Sequence, residues 1–173
     1  MNTLLVHESH WGNTRAIGEA IAQGIASVGD GAQVTVVDVG EAPSPLPGDV
    51  ALLVIGGPTH AFSMSRAATR RDAHSQGAEP GHDLVGIREW LDGLPAPAAS
   101  PAVATFDTRV TQVRRLPGSA ARAARRMAEH HHIGEVVATE SFYVEDSAGP
   151  LEEGELDRAR AWGRHLASDA RIV

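Results

Sequence analysis

Six consecutive residues, Ser9-His10-Trp11-Gly12-Asn13-Thr14, place two hydroxyls, an amide, an imidazole and a glycine between an apolar run and an amphipathic segment. Such hydroxyl and amide groups, joined by consecutive backbone N–H groups and the positive end of a helix, would hold an anion, a phosphate above all. Gly12 permits the tight turn that such a loop needs. Ser, Asn and Thr are also the residues any helix start favours, so composition alone leaves an ordinary helix cap open beside the anion site. No lysine could assist, because all fifteen basic residues are Arg. That excludes a Walker lysine and Schiff-base chemistry, and neither G-x-G-x-x-G nor a Walker pattern occurs. The absence of Cys excludes disulfides, thiolate metal sites and thiol catalysis. His130-His131-His132 would diverge by about 100° per residue around a helix, so they read as a cationic helix end and no metal site is expected. Ser63 and Ser65 lack the elbow of a hydrolase nucleophile.

These residues need a scaffold. Leu4-Leu5-Val6 is apolar without alternation, the pattern of a strand covered on both faces. From Thr14 the residues Ile17, Ala20, Ile21, Ile25 and Val28 recur at helical spacing, predicting an amphipathic helix that ends near Gly29. Residues 34–39 and 50–55 read as strands, and Pro43, Pro45 and Pro47 leave room for one helical turn between them. Residues 56–83 show no clear period and read as a long functional loop. Leu84, Ile87, Trp90, Leu91 and Leu94 predict a helix stopped by Pro95 and Pro97. Residues 102–106 predict a fourth strand, 119–132 an Ala- and Arg-rich helix opened by a Gly-Ser cap, 135–144 a fifth strand and 152–167 a last helix with an acidic first turn. Strands alternating with helices five times imply a parallel sheet with helices on both faces.

A chain of 173 residues, 42% apolar, is expected to form one domain over residues 1–173. With 22 acidic against 15 basic residues the net charge is −7, and there is no long basic run, so nucleic-acid binding is not expected. Protonation of all nine His would make the chain net positive, so its surface charge is sensitive to mild acid. The N-terminal apolar run is too short for a signal peptide and the apolar run 50–55 cannot span a bilayer, so no membrane contact and a cytoplasmic location are expected.

The segment Glu8-Ser9-His10-Trp11-Gly12-Asn13-Thr14 resembles the phosphate loop of the flavodoxin-like family, commonly T-x-T-G-N-T, with Ser9, Gly12, Asn13 and Thr14 matching. Trp11 stands where electron-carrying flavodoxins usually have Thr, a departure shared by a bacterial subgroup of flavodoxin-domain proteins. Gly56-Gly57-Pro58-Thr59-His60-Ala61-Phe62-Ser63-Met64 and Thr105-Phe106-Asp107-Thr108-Arg109 follow the third and fourth strands, where the family places its two flavin-wrapping loops. The resemblance spans nearly the whole chain and implies a three-layer α/β/α domain of the short-chain type, its five-stranded parallel sheet in the order 2-1-3-4-5.

It further implies non-covalent FMN. Ser9, His10, Trp11, Gly12, Asn13 and Thr14 would hold the phosphate. His60 and Phe62 would cover one face of the ring and Phe106 the other, each Phe having a core anchor as its alternative. The backbone groups of Thr59 and of Asp107, Thr108 and Arg109 would meet the ring's polar edge, and Pro58 and Ala61 belong to the same cofactor-binding set. His60, Arg66, Arg70, Arg71 and Arg109 would make the rim basic, favouring an anionic reduced flavin and two-electron chemistry, unless these Arg point into solvent. The implied work is redox: a carrier between a redox partner protein and an acceptor, an FMN-dependent reductase of a quinone or other small electron acceptor, or a flavin-free binding module on the same scaffold.

Overall fold

The computed structural model describes residues 1–28, 31–79 and 85–169. Leu4, Leu5 and Val6 all lie in β1 (Asn2–His7), and each is 5% exposed or less. Alternation across the strand sends Leu4 and Val6 into one core and Leu5 into another, which is why the run shows no polar position. The same division holds in β3 (Leu52–His60), with Leu53 and Ile55 on one side and Leu52 and Val54 on the other.

β1 pairs in parallel with β2 (Gln33–Asp38) and with β3; β3 pairs with β5 (Ala102–Val110), and β5 with β6 (Glu135–Val144). The order β2-β1-β3-β5-β6 is the expected arrangement of five parallel strands. One two-residue strand, β4 (Ser63–Met64), adds to it by folding back antiparallel on Thr59 and His60.

One face is covered by α1 (Asn13–Ala26) and α5 (Glu155–Ala167), whose Ile17, Ile21, Ile25, Ala159 and Leu166 join Phe106 and Phe142. The other is covered by α3 (Ile87–Gly93) and α4 (Ala120–His130), through Trp90, Leu91, Ala120, Ala124 and Ala128. The Gly-Ser start of α4 behaves as expected, with Ser119 Oγ accepting from the Arg122 N–H at 3.3 Å. Among the described residues, no helix is long and apolar enough to cross a membrane.

The region 56–83 departs from expectation. It is not one long loop: β3 continues through Gly56, Gly57 and Pro58, the chain turns into β4, and α2 (Ala67–Ser75) follows. Gly56 interrupts the apolar run for a packing reason, since a Cβ there would lie 2.0 Å from Cζ of Phe106. α2 carries no apolar stripe; its buried residues are Arg70 and Ala73, so periodicity could not reveal it. The third helix begins at Ile87, later than expected, and the expected Leu84 lies outside the described residues. The last helix begins at Glu155, after Gly154 in the left-handed region.

Candidate functional site

The carboxyl ends of β1, β3 and β5 open on a cleft of about 280 Å³. His10, Trp11, Asn13 and Thr14 line it from the loop after β1, and Pro58, Thr59, His60 and Ala61 from the end of β3. Thr108, Arg109 and Val110 close it from β5, Val144 and Ser147 from the end of β6, and Thr69, Asp72, Ala73 and Gln76 from α2. The α2 wall falls within the segment read from sequence as a functional loop; its helical form was not expected. β1 sits between β2 and β3, so the cleft lies where chain connections leave on opposite sides, the usual ligand position in open α/β sheets.

In the 9–14 loop the side chains are largely engaged within the protein. Ser9 Oγ accepts from the Arg15 N–H at 3.3 Å. The hydroxyls of Thr14 and Thr108 lie 2.7 Å apart, tying α1 to β5. Asn13 donates its amide to the Ala148 carbonyl at 3.2 Å. Left-handed Gly12 (φ 81°) turns the chain into α1 with no side-chain cap. The N–H groups of Asn13 and Thr14, in the first turn, consequently have no acceptor among the described residues. Unpaired first-turn N–H groups and the positive end of the helix dipole are the features that favour an anion at a helix start.

Of the expected flavin contacts, Phe106 is the clearest correction. It is fully buried, edge-on to Phe142 at 6.2 Å and Trp162 at 6.4 Å, so its ring belongs to the core beneath α1 and α5 and offers no face to a ligand. Asp107 is buried as well: Oδ2 accepts from Thr59 Oγ1 at 3.1 Å and from the Ala121 N–H at 2.9 Å, while Thr59 Oγ1 accepts from the Ala120 N–H at 2.8 Å. Together they bracket the start of α4 to the sheet. Phe62 is 48% exposed at the hairpin tip and lies outside the cleft lining. It and Ala61 have φ of 64° and 46°, a left-handed pair that costs non-glycine residues on the order of 1 kcal/mol each.

The expected basic rim contracts. Arg66 and Arg71 are exposed and do not line the cleft. Arg70 is 1% exposed and paired with Glu89 Oε2 at 3.1 Å. His60 does line the cleft, but burial, followed by the positive neighbours His10 and Arg70, holds its pKa below the ordinary value against the opposing pull of Glu8. Arg109 is the remaining cation of that set at the wall; its Nη2 donates to the Val113 and Leu116 carbonyls, and its buried Nε has no partner among the described residues.

Beneath the cleft lies a polar cluster that sequence reasoning missed. Glu8 is 1% exposed, yet its carboxylate accepts from His10 Nε2 at 2.8 Å, from the Ile87 N–H at 2.9 Å and from Ser65 Oγ. Ser65 in turn accepts from Arg70 Nη1 at 2.9 Å. Burial pushes the Glu8 pKa up, but the hydrogen bonds from His10, Ser65 and the Ile87 N–H outweigh it, and the net position is below the ordinary carboxylate value. The carboxylate is therefore charged at neutral pH. Its sequence signal was faint: Glu8 directly after a strand reads as an ordinary polar turn.

A parallel sheet in this order, helices on both faces and a cleft at the carboxyl ends define an α/β protein of the flavodoxin-like fold. A flavodoxin from the domain Archaea superposes with a TM-score of 0.61 at 16% identity, over 96% of each chain. Oxidised Flavodoxin 2 from Bacillus cereus gives 0.64 at 13% identity, over 96% of this chain and 98% of that one. A flavodoxin from Pseudomonas aeruginosa, in a mutant form, gives 0.62 at 10% identity, over 99% of both. No family model and no curated protein sequence matches the chain.

Proposed function

We propose that this chain is a redox protein that binds FMN non-covalently in the cleft. The observation that carries the reading is the pair of free N–H groups at Asn13 and Thr14, presented by left-handed Gly12 at the topological switch point of the sheet. The residues present fit the cofactor. Asn13 and Thr14 would hold the phosphate through their backbone, and Trp11 and His60, both lining the cleft, would meet the ring. Arg109 would set a fixed positive charge beside it. Bound there, FMN would supply one- and two-electron transfer.

Two modes of use fit such a site. In one, the chain carries electrons between a redox partner protein and an acceptor. The buried Glu8-His10 pair favours the other, reduction of a small acceptor inside the cleft, because a pure carrier has no need of an oriented imidazole.

Titration with FMN and with riboflavin, followed by quenching of flavin fluorescence, tests the reading. An anion at a helix N-terminus gains up to about 2 kcal/mol in partly buried geometry, and tenfold in affinity is about 1.4 kcal/mol. FMN is thus expected to bind about tenfold or more tightly than riboflavin. Equal affinity would move the phosphate away from the Gly12 loop, and failure of both to bind at micromolar concentration would overturn the redox reading.

A further inference from the structure

His10 is 4% exposed, but it lines the cleft, and its two ring nitrogens have different surroundings. Nε2 is 2.8 Å from Glu8 Oε1. An ionised carboxylate only accepts, so Nε2 carries a proton and Nδ1 is the nitrogen left to act. Nδ1 has no hydrogen-bond partner among the described residues. Glu8 cannot swing away, because Ile87 N–H holds Oε2 and Ser65 Oγ shares Oε1 with the imidazole. The ring of His60, the last residue of β3, lies 5.4 Å from that of His10.

We propose that His10 transfers a proton through Nδ1 to a conjugated carbonyl acceptor, such as a quinone, reduced in the cleft, with Glu8 as its positioning residue. The inference rests on the redox reading above. In the full reaction the acceptor takes a hydride, two electrons and a proton, from a reduced flavin. The electron pair moves onto the carbonyl oxygen, the Nδ1–H bond of His10 breaks and an O–H bond forms. His10 passes from imidazolium to neutral imidazole and regains its proton from solvent. Among the described residues, the charged and titratable groups around His10 are Glu8 in its own loop, His60 on β3, Arg70 on α2, Glu89 on α3 paired to Arg70, Glu79, whose N–H donates to the His10 carbonyl, with its partner Arg15 on α1, and Arg109 and Asp72 across the cleft.

The first test needs no flavin. Imidazole nitrogen–proton spectra of the whole protein should show His10 protonated at Nε2 throughout the neutral range, and a water-soluble naphthoquinone sulfonate should shift its Nδ1 resonance. A His10 protonated at Nδ1 alone, or an Nδ1 unmoved by saturating quinone, overturns the proposal. In the FMN-loaded protein, His10→Gln is expected to lower kcat for quinone reduction about a hundredfold, with FMN affinity within a few-fold of the parent, and to abolish a decline in kcat as pH rises. An unchanged kcat or pH profile in that variant, with FMN bound, overturns it equally. Absence of FMN binding in the parent protein condemns the redox reading instead, and is seen in the flavin titration independently of the histidine spectra.

Discussion

Glu8→Ala is expected to lower the free energy of unfolding by about 3–5 kcal/mol, the usual cost of removing one partner from a buried charged cluster. The loss would leave the Ser65 hydroxyl, the Ile87 N–H and His10 Nε2 without their acceptor in the interior. Urea titration at neutral pH should show a lower midpoint with an unchanged slope, and a midpoint within 0.5 kcal/mol equivalent of the parent, on the order of a surface substitution, would show that the cluster contributes nothing. The pH dependence follows from two depressed pKa values. Glu8 lies below its ordinary 4.5, so its contribution is complete above that value and is lost as pH falls through the folded pKa. His60 lies below its ordinary 6.5, so the folded state resists its protonation and stability also declines below 6.5. The parent protein should therefore weaken steadily in acid. In Glu8→Ala the Glu8 share of the decline below 4.5 should vanish, while the part just below 6.5 should steepen, because Glu8 is the neighbour that supports a charge on His60.

How much of this could be read from the sequence depends on what each residue touches. The central strands were legible because both faces are covered, which leaves an apolar run with no alternative reading. The turn from β1 into α1 was legible because glycine and cap residues gather where a strand gives way to a helix, whereas the engagement of the Ser9 and Thr14 hydroxyls with the Arg15 N–H and Thr108 depends on the folded arrangement. Phe106 was misplaced despite an available signal. In β5, Ala102, Ala104 and Phe106 share one face and pack with α1 and α5, so the two-residue period of the strand already assigned its ring to the core. α2 and the Glu8 cluster were illegible for a different reason. A buried arginine and a buried glutamate look like surface residues until their partners are known, and Ser65 and Ile87 lie far from Glu8 along the chain, as Glu89 does from Arg70. Charged residues are rarely buried unless paired, so sequence expectation and observation part where function is most plausible.

The 9–14 loop leads directly into α1, which lies close to α5, and that approach makes the second strong prediction. Gly163→Val is expected to cost about 3 kcal/mol. A Cβ at Gly163 would lie 2.2 Å from the Ile21 carbonyl oxygen, and one at Gly24 would lie 2.2 Å from the Arg160 carbonyl oxygen, so the two helices meet backbone to backbone through paired glycines. Rotamer changes cannot relieve a clash with a main-chain oxygen, so α5 must move off α1. Helix propensity opposes this only weakly, valine gaining a few tenths of a kcal/mol over glycine. Gly93→Val supplies the control, because a Cβ there meets nothing within 4 Å, and its effect should stay within about 0.5 kcal/mol. Chemical denaturation of both variants decides the matter: equal stabilities would show that the interhelical contact has room to give. Because α1 begins at Asn13 and the proposed FMN phosphate would rest on its first-turn N–H groups, displacement of the helix should also narrow the preference for FMN over riboflavin. That coupling is absent if α5 moves alone, so the flavin titration of Gly163→Val separates a shifted 9–14 loop from a scaffold that is merely weaker.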